Sequence, residues 1–468
     1  MKVNFPHPVD KTRAERRAYG KARRHQAPLE AHGAWKPAAD RPDPLALLRA
    51  QDEGRLQHLL PIKYGRMLAS PFAFLRGSAV VMAADLEKTA VSNLNVMLCG
   101  DAHLSNFGLF ASPERHLVFD VNDFDECYPG PWEWDLKRLT ASIVVAGRGN
   151  GYGDKANRAI VERTVAVYRE AMRELAAART LDVWYFHVDA EQLQAIYDEH
   201  ASKKARRTTE KIIEKAKTRT QARTIEKLTV VENGRRRFKS DPPLLVPFRI
   251  ENFGEGAAVM TITAVSEMWS QYLQSLAVEK RFLLSRYRIV DAALRVGGVG
   301  SVGTRTAIIL LQGGAHDDSL ILQLKEAKPS VLAAYLPSRP YTQNAERVVT
   351  GQRLMQATGD IFLGWHRSTV SGNDYYWRQL KDMKGAVDVE EMDKTGFEAY
   401  ASVCAISLAR AHARTGDASA ISGYIGKSGR LDKAIATFAV AYADQTQEDY
   451  EMLVQAVQSG EIEAERGV

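Results

Sequence analysis

The stretch Gly100–Leu139, GDAHLSNFGLFASPERHLVFDVNDFDECYPGPWEWDLKRL, carries the pattern that decides the fold of this chain. The apolar run NVMLCGD overlaps its start and is typical of a buried strand. A polar turn with Asp101, His103 and Asn106 follows, and the apolar run HLVFDVNDFDE at 116–126 predicts a second strand. Both strands are therefore expected to end beside polar side chains.

The second strand ends in a group of acids, Asp120, Asp123, Asp125 and Glu126. Phosphoryl transfer needs side chains of these types, because one carboxylate orients the acceptor hydroxyl while an amide and another carboxylate hold Mg²⁺ against the phosphates. Asp and Asn also favour turns and helix caps through local hydrogen bonds. A single Asp in this segment would be explained by a turn or a helix cap. The acids after the second strand, taken in order together with Asn106, instead favour a phosphotransferase site.

The composition is that of an ordinary globular protein of 468 residues, long enough for two or three domains or one large unit with insertions. Its net charge of +6 favours anionic ligands weakly and does not establish nucleic-acid binding. Cys99, Cys127 and Cys404 form neither a disulfide framework nor a CxxC metal site. With no secretory signal and no membrane-spanning run in the sequence, we expect a cytoplasmic protein.

Changes in composition and periodicity along the chain predict four segments. They are a flexible basic arm at 1–40, a helical lobe with the catalytic and metal-binding loops at 41–285, a small β-rich lobe at 286–385, and C-terminal helices that complete the helical lobe at 386–468. A basic insertion is expected within the helical lobe at 200–240. Its charges are not interleaved with aromatic residues for base stacking, so a solvated insertion is favoured over a nucleic-acid surface.

Gly298, Gly300 and Gly303 form a GxGxxG pattern in the small lobe. A strand rather than a helix is predicted to follow, which argues against a dinucleotide-binding turn. The pattern instead suits a hairpin whose backbone amides lie over phosphates, as in kinases.

Lys325 lies in the next predicted strand, LILQLKEA, where a kinase lysine would contact phosphates. A lysine inside an apolar strand needs a partner, and Glu346 of the following helix is the first choice, with Gln352 and Arg353 on later turns. The alternative role is an edge-strand lysine that opposes aggregation. Arg76, on a buried segment, is expected to face the acids, a phosphate or a structural ion pair.

Two further strands, IFLGWHRS and DYYWRQLKDMKG, are predicted on either side of the turn at 371–373. The segment after Leu380 is then expected to be the hinge that meets adenine. His412, Arg414 and Asp417 cluster in the C-terminal helices, but no Asn and no metal-binding strand follow them. They are therefore interpreted as packing and capping residues.

The segment from Asp101 to Asp135 resembles the catalytic core of the aminoglycoside and choline kinase branch of protein-kinase-like folds. That pattern reads H-G-D-x-H-x-x-N, then a strand ending in I-D-F-D, then G-P and Tyr/Trp-Asp-Leu. The resemblance implies that Asp101 is the base-like aspartate, Asn106 a metal ligand, Asp123 the main Mg²⁺ ligand and Asp125 a second acid.

The same resemblance assigns His103 to the second histidine of the pattern and makes Asp135 a structural aspartate that steadies the loop. Cys99 stands where the first histidine is usual, a position that mostly supports the loop.

The order of the motifs differs from that of kinases, which place the glycine loop and the lysine before the catalytic loop. Here the catalytic loop lies near residue 100 and the glycine and lysine pattern near residue 300. We therefore expect an α+β, circularly permuted protein-kinase-like fold, with a large helical lobe and a small antiparallel-sheet lobe. The alternative is that the 298–325 pattern is an unrelated hairpin.

Nearly the whole chain is also similar to the domain of unknown function 2252 family of bacterial proteins. The stretches that carry this similarity are RPDPLALLRAQ, KYGRMLASPFAFLRG, CGDAHLSNFG, VFDVNDFDE, PGPWEWDLKRL, GQRLMQA and LARAHARTGD. The resemblance implies no particular substrate.

The function expected from these patterns is an ATP- and Mg²⁺-dependent phosphotransferase acting on a small molecule or a protein. Asp101 and Lys325 would act in catalysis, and Gly298–Gly303 would cover the phosphates. One alternative is a pseudokinase that binds nucleotide without turnover, towards which Cys99 points. Adenylyl transfer by the same acids is another, and nucleic-acid binding through 203–239 ranks last.

Overall fold

The computed structural model describes residues 10–249, 262–315, 317–336, 341–369, 371–380, 383, 385 and 387–467. The helices within these residues are Arg13–Ala22 (α1), Pro44–Asp52 (α2), Leu60–Met67 (α3), Pro71–Gly77 (α4), Ala79–Glu87 (α5), Glu133–Gly149 (α6), Asp154–Ala177 (α7), Thr180–Tyr185 (α8), Ala190–His200 (α9), Lys203–Thr218 (α10), Gln221–Leu228 (α11), Ile262–Gln274 (α12), Val278–Leu284 (α13), Asn344–Met355 (α14), Lys394–Thr415 (α15), Ala418–Ile425 (α16) and Arg430–Gln458 (α17).

The strands are short and pair antiparallel throughout. They are Asn95–Leu98 (β1), Phe107–Ala111 (β2), Leu117–Val121 (β3), Tyr128–Pro131 (β4), Val188–Asp189 (β5), Thr229–Glu232 (β6), Arg235–Phe238 (β7), Leu245–Pro247 (β8), Arg288–Arg295 (β9), Thr306–Gln312 (β10), Ser319–Ala327 (β11), Gly364–Arg367 (β12) and Asp374–Gln379 (β13).

A large helical body forms around α6, α7, α15 and α17, which pack against one another. Nearly every residue of α6 from Glu133 to Gly147 is buried, because neighbouring elements cover the helix on all sides. Trp132, just before α6, stacks on Tyr168 of α7 with ring centroids 5.5 Å apart. The β1–β4 pair and the small β2–β3–β5 sheet share the hydrophobic core of this body.

A six-stranded sheet in the order β12-β13-β11-β10-β9-β8 forms the second part of the molecule. In β10, Ala307 and Ile309 pack towards Tyr272 of α12 on one face. Ile308 packs towards Ile225 of α11 on the other face. Since both faces are covered, the run TAIILLQ is continuously apolar rather than alternating.

The predicted α+β class with antiparallel sheets is confirmed by these elements. Asn233 and Gly234 form the turn that joins β6 to β7, and both residues have positive φ, as is usual for an Asn-Gly pair in a two-residue hairpin turn. In the basic segment, α10 buries Ala205, Thr209 and Ile213 and turns most of its lysines to solvent. Among the described residues, no helix has both the length and the apolar character needed to cross a bilayer.

The described part of the basic N-terminal segment is a packed helix rather than a flexible arm. Thr12 caps α1 in a reciprocal hydrogen-bonded box with Glu15. The helix then crosses α16 so closely that a Cβ on Gly20 would lie 1.8 Å from the carbonyl oxygen of Ala420. The missing side chain of Gly20 therefore serves close helix packing.

Replacing Gly20 with Ala is expected to destabilise the protein, because the new Cβ forces α1 and α16 apart at a cost of about 1–3 kcal/mol. Gly149→Ala is the control, since a Cβ there has no atom within 4 Å. Thermal unfolding and limited trypsin digestion measure the effect. Equal melting temperatures and equal cleavage rates in α1 for the two variants would contradict the close crossing.

Candidate functional site

A cavity of about 700 Å³ lies where the helical body meets the six-stranded sheet. Its helical wall carries Asp101, Asn106 and Asp123 from the loops after β1 and β3. Its sheet wall carries Lys325 of β11 and part of the loop between β9 and β10. The cavity thus brings together two segments from distant parts of the sequence.

The loop after β1 is held by the buried carboxylate of Asp135 at the start of α6. Asp135 accepts hydrogen bonds from the backbone amides of Cys99 (2.7 Å) and Gly100 (2.9 Å), and lies 3.1 Å from His412 Nε2. Gly100 has φ +83°, and a Cβ there would lie 2.1 Å from the Glu126 carbonyl oxygen. Asp135 therefore steadies the loop that carries Asp101.

Asn106 ties the loop after β1 to the loop after β3. Its Nδ2 donates to the carbonyl oxygens of Asp101 (2.9 Å) and Asp123 (3.3 Å). Its Oδ1 is buried and accepts no hydrogen bond from any described residue, although Asn106 lines the cavity. A buried amide oxygen without a donor is satisfied by an ordered water, a ligand or a cation.

Lys325 reaches across the cavity to the acids that follow β3. Its Nζ forms an ion pair with Asp125 and lies 3.9 Å from Asp123 Oδ2, and Asp125 Oδ1 accepts a 2.7 Å hydrogen bond from the Tyr376 hydroxyl. Burial pulls the pKa of Lys325 down, but the carboxylates of Asp123 and Asp125 raise it above its ordinary value. Lys325 is therefore a charged ammonium.

The sequence expectation for the partner of Lys325 was wrong. Glu346 lies in the first turn of α14 and does not line the cavity. Gln352 of the same helix does line it, whereas Arg353 turns away to the carbonyl oxygen of Leu363. Periodicity favoured the next helix in the chain, but the pairing acid lies 200 residues earlier.

Asp101 is held by a neighbouring guanidinium on α6. Arg138 Nε donates a hydrogen bond to Asp101 Oδ1 at 2.8 Å, and Arg138 Nη2 donates to the carbonyl oxygen of Leu75. His103 Nε2 lies 3.6 Å from the other carboxylate oxygen. Burial lowers the pKa of His103 to about 4, against the opposing effect of Asp101, so this imidazole is neutral near pH 7.

The glycine pattern contributes two of its three residues to the cavity wall, Gly298 and Gly300. Gly303 does not line the cavity; it has φ +83°, and its carbonyl oxygen accepts a 2.7 Å hydrogen bond from the Leu56 amide. Arg55 donates to the carbonyl oxygen of Gly300 at 3.0 Å. This β9–β10 loop is thus fastened to the helical body rather than free as a lid.

Of the arginines that line the cavity, only Arg76 was singled out from the sequence. Arg295 of β9 and Arg378 of β13 stand on the sheet wall, and Arg76 of α4 stands on the helical wall. Among the described residues, none forms a hydrogen bond or an ion pair with Arg76, which lies over the Phe72 ring at 5.9 Å. Strand alternation was the one sequence signal that could have directed Arg378 to the face that carries Tyr376.

A second cavity of about 890 Å³ adjoins the first. The two share Arg76, Ser105, Phe107 and Gly385 in their walls. Lysines of α10 line one part of it, and the acids of segment 387–393 line another. The cavity that contains Asp101 is therefore adjacent to a second cavity with polar walls.

Two further expectations from the sequence concern a metal ion and the adenine base. No group of three or more His, Cys, Asp or Glu side chains in the described part of the chain is arranged to hold a metal ion. Any ion here would have Asn106 and Asp123 as its available ligands, with water and a second ligand completing its shell. The hinge predicted after Leu380 falls largely on 381, 382, 384 and 386, which lie outside the described residues.

Comparison with known proteins relates most of the chain to one family. No curated protein and no solved structure matches the chain. The model of the family described as "Uncharacterized protein conserved in bacteria (DUF2252)" matches residues 55–456. Since that match spans far more than half of the sequence and includes both walls of the cavity, the chain belongs to the DUF2252 family.

Proposed function

We propose that the protein is an ATP- and Mg²⁺-dependent phosphotransferase. The convergence of Asp101, Asn106, Asp123 and Lys325 on one cavity carries this proposal. Acids that served only as turn formers would not need a buried lysine supplied by a separate sheet. Phosphoryl transfer uses such a set, because its catalysis rests on positioning and on neutralising phosphate charge.

A circularly permuted kinase-like arrangement fits this chemistry. The helical body carries the acid loops near residue 100, and the six-stranded antiparallel sheet carries the glycine loop and Lys325 near residue 300. Gly298 and Gly300 line the same cavity as the acids. Along the sequence, the acid loops therefore come before the glycine loop and the lysine, which is the reverse of their order in kinases.

The residues on the helical wall fit a magnesium ion. Mg²⁺ takes oxygen ligands and keeps several waters, so one amide and one or two carboxylates are enough from the protein. The Asn106 Oδ1 has no other partner among the described residues, and Asp123 is 46% exposed towards the cavity. When bound, the ion supplies positive charge that neutralises the phosphates.

Asp101 and Lys325 take the remaining roles. Asp101, fixed by Arg138, orients an acceptor hydroxyl and accepts its proton, and the second cavity next to it receives the acceptor. Lys325 exchanges part of its contact with Asp125 for a phosphate oxygen. Its charge is maintained by Asp123 and Asp125, which raise its pKa.

ATP is expected to bind in the presence of Mg²⁺, and Asp123→Asn should weaken binding by about tenfold or more. The reason is that a contact to a charged group contributes about 1.5–3 kcal/mol. Isothermal titration calorimetry with and without EDTA measures this. Asp182→Asn is the control, because Asp182 pairs with Arg179 on the surface at 2.8 Å and should leave ATP affinity unchanged. If the wild type does not bind ATP, the proposal of a phosphotransferase is wrong.

Asp101→Asn is expected to keep ATP binding while lowering turnover by about 10²–10⁴-fold, since it removes the proton acceptor but preserves the shape of the side chain. With water as the acceptor, release of label from γ-³²P-ATP and α-³²P-ATP gives the rates. Loss of the γ-phosphate supports phosphoryl transfer, whereas release of labelled AMP supports adenylyl transfer. Tight ATP binding without either release supports a pseudokinase.

A further inference from the structure

The strands of the sheet wall present cations to the cavity, and Asp360, which lies before β12 and accepts a hydrogen bond from the backbone amide of Gln379, is an acid that lines the same side. Strands β9, β11 and β13 direct Arg295, Lys325 and Arg378 into it. No acidic side chain from the described residues of these three strands lines the cavity. In the β11–β13 register, Lys325 stands opposite Tyr376 and Gln323 opposite Arg378, so the cations occupy adjacent rungs of one sheet face.

Two of these three cations have no carboxylate partner within the part of the chain that the structure describes. Lys325 pairs with Asp125. Arg378 Nε donates only to a neutral atom, Gln323 Oε1, at 2.9 Å. The side chain of Arg295 makes no hydrogen bond and no ion pair with any described residue, while its backbone stands opposite Leu245 in the β8–β9 ladder. A guanidinium removed from water is costly unless an anion compensates it, so this pair is suited to an anionic ligand.

The pKa directions agree with two guanidinium groups held close together. Burial lowers the pKa of Arg295 first, and the positive charge of Arg378 lowers it further. Burial also pulls down the pKa of Arg378, but Tyr376, Asp123 and Asp125 raise it overall. Both groups stay charged at neutral pH, and their mutual repulsion is relieved by an anion placed between them.

We propose that Arg295 and Arg378 form a polyphosphate subsite beside Lys325, which selects a nucleoside triphosphate by its phosphate chain. The identification of the ligand as a nucleotide rests on the proposed function. The anion subsite itself rests on the position of the two arginines in the cavity wall and on their lack of carboxylate partners among the described residues. Arginine suits this task because its planar fork matches two phosphate oxygens at once.

Inorganic tripolyphosphate is the probe, because it carries the phosphate chain without a base or a sugar. Calorimetric titration in EDTA compares the wild type with Arg295→Gln and Arg378→Gln. Each substitution is expected to weaken tripolyphosphate binding about tenfold, the effect of losing one charge-assisted contact. Arg235→Gln is the matched control, since Arg235 is an exposed arginine on β7 that does not line the cavity.

Equal weakening by Arg295→Gln and Arg235→Gln would overturn the subsite, because it would show diffuse charge attraction only. Circular dichroism checks the fold of each variant. If Arg378→Gln does not fold, the half-buried Arg295 still decides the question. Arg295→Lys provides a second measure, since a point charge should restore only part of the affinity.

The subsite and the proposed function fail in different ways. Binding of ATP with Mg²⁺ but not of tripolyphosphate would overturn the subsite and leave the phosphotransferase proposal standing. If tripolyphosphate binds in a way that depends on Arg295 but ATP does not bind, the subsite is supported and the identification of its ligand as a nucleotide is overturned.

Discussion

The ammonium of Lys325, held by Asp123 and Asp125, is the interaction on which the cavity depends. It joins β11 of the sheet to the loop after β3 of the helical body, across 200 residues of sequence. Burying an ammonium costs several kcal/mol, so the pair persists only because the carboxylates compensate it. Under the proposed function, a phosphate oxygen would be a second partner for the same ammonium.

Features with a local cause could be predicted from the sequence. The strands that lead to Asp101 and Asp123 follow from apolar runs that end in turn residues. The hairpin at Asn233-Gly234 follows from the preference of an Asn-Gly pair for the positive φ angles that such a turn requires. The α+β class with antiparallel sheets follows from the change in hydrophobic periodicity near residue 286. The position of Asn106 beside the acids could be predicted because residue types and their order were enough to suggest it.

Features that depend on tertiary contact could not be predicted in this way. Glu346 was the nearest acid on the next helix, yet spatial proximity selected Asp125. Arg295, at the end of an apolar strand, has the sequence pattern of a solvated residue, and only the covering helical body reveals its burial. Gly20 stands in a charged segment typical of a mobile arm, but its lack of a side chain allows α1 to cross α16.

Most of the acids and most of the cations that line the cavity lie on opposite walls, and this restricts the ligand. The helical wall presents Asp101 and Asp123 together with Arg76, whereas the strands of the sheet wall present Arg295, Lys325 and Arg378. Opposite charges about 4 Å apart attract by about 4 kcal/mol near a protein surface, but the attraction falls steeply with distance and salt. A simple anion is attracted by the arginines but repelled by the acids. A lone cation is attracted by the acids but repelled by the arginines. Under the proposed function, a polyphosphate that carries its own divalent cation would satisfy both walls at once, because Asn106 and Asp123 would hold the metal and the sheet cations would hold the phosphates.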